Sequence, residues 1–269
     1  YESGFYDWSS KMFLRLYERL EGNYANDSER ITLYEETLEY LGLLERKGVD
    51  LKLLPEVRAE STKRVVRAFE RHGLFKAVSN TIRDYIKENP MSASVPEFYQ
   101  MWVDFHNSLG EVKVAQAIRE EYLDFASTNM KWWRNNSENY EATFLAEDLL
   151  EKNLVDSAKY LVKKGDEKSI NKAKGYYEKY LLDYGLGRSA DPVRLDLARL
   201  YFNEGQYARA ISTLESIPYV EDYNLSYDSI YYLRTLSYIR ASEAKNSYTN
   251  EDLLDSVYQY VKWTKNYNQ

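Results

Sequence analysis

Cysteine is absent from this chain of 269 residues, which excludes disulfides, thiol nucleophiles and thiolate metal sites. Histidine is nearly absent too. With only His72 and His106, a histidine-built metal centre or catalytic triad would need both or a set of carboxylates. Five prolines and 11 glycines are too few for a turn-dense sandwich, a collagen or a low-complexity chain. No apolar run approaches the roughly 18–20 residues that cross a bilayer, so no membrane-spanning segment is expected. Phosphate-loop, nucleophile-elbow, zinc-pair and calcium-loop motifs are missing, and Gly185-Leu186-Gly187 reads as a helix stop rather than a dinucleotide loop. The net charge of −7 argues against general nucleic-acid binding. No cofactor, metal or catalytic residue is expected. The chain starts at Tyr1 rather than Met, as expected of a processed or excised piece of a protein with an anchor or further domains.

What the chain does contain is helical periodicity. Hydrophobic residues make up 44 % and charged residues 29 %, the balance of a globular core with a solvated surface. Phe5, Trp8, Met12, Leu16 and Leu20 recur at spacings of three and four, and Ile31, Tyr34, Leu38, Leu41 and Leu44 do the same. Ser94-Val95-Pro96-Glu97 combines a capping box with an early helical proline. Asp191-Pro192 pairs a capping aspartate with proline at the first helical position, and Thr249-Asn250-Glu251-Asp252 is a third start. Gly22, Gly48, Gly73, Gly110, Gly165, Gly185 and Gly205 each follow a periodic run, where glycine suits a left-handed stop. The expected fold class is all-α, with about thirteen helices joined by short loops.

The helices also repeat. Counting from Asp191, Leu197, Ala198, Tyr201, Gly205, Tyr207, Ala210 and Leu214 fall at positions 7, 8, 11, 15, 17, 20 and 24. Small Ala198 and Ala210 suit the close crossing of two helices, and the larger residues fill the space to the next pair. This segment resembles the tetratricopeptide repeat; the departure is Arg194, at a position usually apolar. Weaker copies begin at Ala59 (Val65, Val66, Phe69, Gly73, Phe75, Val78, Ile82, Pro90), at Pro96 (Tyr99, Trp102, Val103, Gly110, Ala115) and at Glu151 (Leu154, Ala158, Leu161, Gly165). In the last, Ala173, Tyr177 and Tyr180 resume the pattern three residues late. The 55 residues between Gly110 and Gly165 call for an extra helix, placed at Ser137 to Glu151 after an irregular Trp132-Trp133 segment. Helix pairs at Phe5–Lys47 and Ser226–Trp263 flank the copies. The resemblance implies a right-handed superhelical solenoid of antiparallel helix pairs. It implies a single domain over 1–269, divisible into sub-blocks 1–130 and 131–269 at that tryptophan segment.

Two features stand out as candidate sites. From Arg58 to Lys87, eight basic residues face three acidic ones in an otherwise acidic chain. Lys63, Arg67 and Arg71 are four apart and share one helix face, beside Arg64. In the repeat register they occupy positions 5, 9 and 13, which the resemblance places on a concave groove suited to an acidic peptide. The family's carboxylate clamp carries asparagine at position 9, where this chain has Arg67, so that specific chemistry does not transfer. Arg199, Phe202 and Asn203 would extend the face in the later repeat. The alternative for the basic stripe is a solvated surface paired with Glu60 and Glu70.

The second feature is aromatic: 27 Tyr, 9 Phe and 5 Trp. Tyr177, Tyr180 and Tyr201 stand at core positions, while Tyr231-Tyr232 and Tyr258/Tyr260 point to more than one face. Trp132 and Trp133 read either as a plug for the gap in the repeats or as a contact site. His106 reads as a satisfied interior histidine and His72 as a helix-end residue.

The expected function is therefore a non-catalytic scaffold that binds a protein or acidic peptide segment, for instance as an adaptor in a bacterial cell-envelope or secretion assembly. Abundant Tyr, Asn and Lys without cysteine favour the periplasm or envelope over the cytoplasm. The alternative is a helical toroid that binds or processes polysaccharide through aromatic residues and paired carboxylates.

Overall fold

A computed structural model describes residues 54–186, 190–217, 227–244 and 250–267. Among them every regular element is an α-helix: α1 (Leu54–Arg71), α2 (Phe75–Glu88), α3 (Val95–Ser108), α4 (Val112–Thr128), α5 (Met130–Asn135), α6 (Tyr140–Lys164), α7 (Glu167–Tyr184), α8 (Ala190–Asn203), α9 (Tyr207–Glu215), α10 (Tyr227–Glu243) and α11 (Asn250–Tyr267). The all-α class holds, with eleven helices among the described residues. The expected helix pair at Phe5–Lys47 and the stops at Gly22 and Gly48 lie outside them.

Three of the turns inside helix pairs are conformational copies. Gly73, Gly110 and Gly205 have φ of 69°, 71° and 75°, a region a side chain enters only with strain. Each glycine N–H returns to the carbonyl three residues back (Glu70, Asn107, Phe202), and the next N–H to the carbonyl five back (Phe69, His106, Tyr201). This double wrap satisfies the last free carbonyls of the first helix. The residues that follow, Leu74, Glu111 and Gln206, repeat φ near −82° and ψ near 56°, so each second helix leaves in the same direction. The fourth turn differs. Gly165 makes only the four-residue return to Leu161, and Asp166 is extended and caps α7 with its side chain.

Asp166 accepts the Ser169 hydroxyl at 2.7 Å and the Ser169 N–H at 2.9 Å, with Lys164 at 3.2 Å. These contacts, the hydroxyl first, hold its carboxyl down at about 2. A depressed carboxyl stabilises the fold above its unfolded value of about 4, and that contribution is lost as pH falls through about 2. Asp166→Ala is therefore expected to lower the melting temperature at pH 7, and the gap to the native chain should close by about pH 2. A gap of constant size across that range would rule out the charged cap.

Several local expectations are corrected. α7 starts two residues after Gly165, as in the other turns, so the three extra residues form an added stretch of helix rather than a longer loop. The buried set Ala173, Tyr177 and Tyr180 is displaced along α7 accordingly. No separate helix covers Ser137 to Glu151. The gap is filled by the six-residue α5, which carries Trp132 and Trp133, and by α6, which runs 25 residues. Gly185 is right-handed (φ −67°); its carbonyl takes the Arg194 guanidinium instead of a backbone wrap. Asp191 lies within α8 rather than capping it, buried and paired with Arg194 at 2.6 Å. That pair gives the atypical Arg194 its role. Ser94 makes no side-chain cap bond; Glu97, its expected partner, reaches Lys63 on α1 instead.

The chain divides into two compact units, Tyr1–Leu149 and Leu150–Gln269, with the division inside α6. In the first, Tyr85 of α2 stacks on Phe98 of α3 at 4.0 Å. Tyr99 and Tyr122 meet at 5.3 Å between α3 and α4. Trp132 is fully buried with Ala142 and Ala146, against Phe125 and Trp133. In the second, Ala198 and Ala210 have no exposed surface where α8 and α9 meet, and Leu195, Leu214, Ile217, Ile230 and Leu233 build the adjoining core.

Tyrosine takes over leucine positions because its hydroxyl finds a carboxylate on the neighbouring helix. Tyr99 donates to Glu121 at 3.1 Å, Tyr180 to Glu151 at 2.7 Å, Tyr201 to Glu178 at 2.5 Å, and Tyr238 to Glu215. The ring buries apolar area and the oxygen stays bonded at the edge of the core.

Candidate functional site

The cationic stripe on α1 changes character along the helix. Its first member, Lys63, is largely buried and bonds Glu97 of α3 at 2.5 Å, with Glu60 at 3.9 Å. Arg64 is held by Glu60 at 3.3 Å. Lys63 thus ties α1 to α3, and Arg64 is paired within α1. One and two turns further on, Arg67 and Arg71 are exposed and, among the described residues, make no ion pair or hydrogen bond. Glu60 thus serves as an internal partner, as the solvated-surface alternative required, but Glu70 is not paired with either arginine. The structure splits the four expected residues into an anchored half and a free half.

Arg199, Phe202 and Asn203 belong to the second unit. Arg199 is tied to Asp196 at 3.1 Å. Phe202 packs onto the α8–α10 core and meets the Tyr207 ring at 5.4 Å, so it is a core-edge residue. Asn203 is exposed at the end of α8.

Of the two expected aromatic contacts, Trp132 is a plug. It has no exposed surface, its indole N–H donates to the Ser92 carbonyl at 2.8 Å, and its ring meets Trp133 edge-on at 5.1 Å. Trp133 is half-buried and donates to the Ala126 carbonyl at 2.9 Å. Among the described residues of this unit the most exposed aromatic side chains are instead Tyr140 and Phe144, 81 % and 73 % exposed. The signal for them was in the sequence: both stand one turn apart and off the Ala142, Ala146, Leu149 stripe.

The arrangement that sequence reasoning missed surrounds His106. Its Nε2 lies 2.8 Å from Ser79 Oγ on α2, and its Nδ1 lies 2.5 Å from Glu111 Oε2 at the start of α4. The Trp102 indole N–H points at the same Ser79 oxygen at 3.3 Å. Glu111 can only accept, so Nδ1 carries the ring proton toward it, and Nε2 of the neutral ring then accepts from the Ser79 hydroxyl. Ser79 Oγ accepts in turn from the Trp102 indole N–H. His106 is thus a satisfied interior histidine, but one that connects a hydroxyl to a carboxylate. Ser79 and Glu111 stand 27 residues before and five after it, without any motif to join them.

Among the described residues no group of three His, Asp or Glu side chains is placed to hold a metal ion, and no helix is long and apolar enough to cross a membrane. No protein-family model and no curated protein matches the chain. Among solved structures it is similar to BtubC (BKLC) from P. vanneervenii, at 14 % identity over 91 % of this chain and 93 % of that one, with a TM-score of 0.42.

Proposed function

We propose that the chain is a scaffold of stacked helix pairs, of the tetratricopeptide kind, that binds an acidic protein segment at Arg67 and Arg71. The stacking into a right-handed superhelix is part of this reading. It is supported by the three copied glycine turns and by the unexposed alanines at the α8–α9 crossing. The observation that carries the binding role is the free state of Arg67 and Arg71, on the face where Lys63 is already neutralised. Two guanidinium groups one turn apart, unpaired among the described residues, can fork onto carboxylates of a partner strand or helix.

The test is binding of a labelled Glu-rich peptide to the native chain and to Arg67→Glu/Arg71→Glu, each of equal helicity by circular dichroism. The double variant is expected to bind at least about tenfold more weakly, and the native affinity should drop steeply between 50 and ~200 mM salt. Equal affinity for both chains would show that the stripe is solvated surface alone.

A further inference from the structure

We propose that Ser79, His106 and Glu111 form an acyl-transfer relay, with Ser79 as a nucleophile toward small carboxylic esters. This goes beyond the scaffold reading and does not depend on it. The observations are geometric. A nucleophilic hydroxyl needs a base within hydrogen-bond reach, and the base needs a third group to fix its tautomer and stabilise its charged form. All three are present: Ser79 Oγ at 2.8 Å from Nε2, and Glu111 at 2.5 Å from Nδ1. The proton directions argued above are those the reaction requires.

Access and charge stabilisation come from the same neighbourhood. Ser79 is partly exposed and Glu111 half-exposed, while His106 and Trp102 are buried, so the hydroxyl is open to solvent and the base beside it is shielded. Phe75, one turn before Ser79 on α2, is 46 % exposed beside Leu74 and offers an apolar rest for an acyl chain. Trp102 Nε1–H lies 3.3 Å from Ser79 Oγ, a donor beside the carbon that Oγ attacks and the oxygen on which its negative charge develops. One such donor, rather than a pair, makes this a slow site.

In the step itself Oγ attacks the ester carbonyl carbon. The Oγ–C bond forms, the serine proton passes to Nε2, and the carbonyl electron pair moves onto the oxygen facing Trp102. Collapse breaks the ester C–O bond, and the departing alkoxide takes the proton from Nε2. Water then attacks the acyl-serine through the same relay, releasing the acid and restoring the hydroxyl.

The experiment is labelling of the intact chain with a biotinylated fluorophosphonate, which loses fluoride as Oγ bonds phosphorus, followed by mapping of the adduct by mass spectrometry. The expected result is an adduct on Ser79 that is absent in Ser79→Ala. It should form at least about tenfold more slowly in Glu111→Gln, a substitution of equal size on a half-exposed side chain, whose helix signal should match the native chain. A folded native chain without an adduct on Ser79 overturns the proposal. So does a Glu111→Gln chain labelled as fast as the native one, because the carboxylate would then have no part in activating the hydroxyl.

Discussion

Trp132→Ala is expected to destabilise the first unit by about 3–5 kcal/mol, the usual cost of deleting a large buried aromatic side chain. The ring has no exposed surface, and its neighbours, the small Ala93, Ala142 and Ala146 and the rigid rings of Phe125 and Trp133, cannot close over the space it leaves. Removing it also strips the Ser92 carbonyl of its indole donor. Urea unfolding followed by far-ultraviolet circular dichroism measures the effect. Trp132→Phe should lose less, since most of the volume remains. Trp133→Ala, on a half-buried ring, should also lose less. A loss below about 1 kcal/mol for Trp132→Ala would mean that the site collapses freely and that the ring is not a plug.

Alkaline unfolding is the second large effect expected. Burial, first of all, pushes the phenols of Tyr99, Tyr177, Tyr201 and Tyr238 well above the ordinary tyrosine value. The carboxylates of Glu121, Asp196, Glu178 and Glu215 respectively add to it. A group that holds its proton more tightly when folded contributes stability that is complete below its unfolded value of about 10, and is lost as pH rises through the folded value. Stability should therefore be level up to about pH 10 and fall steeply above it. Absorbance of phenolate near ~295 nm checks this. The phenols of buried Tyr99, Tyr177, Tyr201 and Tyr238 should appear together with loss of helix signal. Smooth titration of every tyrosine before any loss of helix would contradict the buried assignments.

Helices and turns were legible because their signals are local. Gly73, Gly110 and Gly205 announce the left-handed stops, since few other residues enter that conformation, and the stripes between them mark the buried faces. Gly185 shows the limit: the same residue type ends a helix right-handedly because a distant arginine satisfies its carbonyl. Side-chain pairing across helices was not legible. Glu97 follows Ser94 at the spacing of a capping box, yet its carboxylate is drawn to Lys63, 34 positions away. A charged partner at 2.5 Å outcompetes a backbone N–H at a helix start that proline already favours. The same blindness hid Ser79 and Glu111 from His106. It also left Lys63 and Arg67 looking alike, because sequence spacing gives the helix face but not what stands opposite.

The helix contacts run mainly between neighbours in sequence, as α1 with α2, α3 with α4, α8 with α9 and α10 with α11. Contacts that close short loops incur little entropy before they form, so folding should be fast and can nucleate in any one pair. Unfolding should likewise spread pair by pair, with no single barrier for the whole chain. Under hydrogen exchange, amides of a single helix pair should then open together, at a free energy below that of the complete chain.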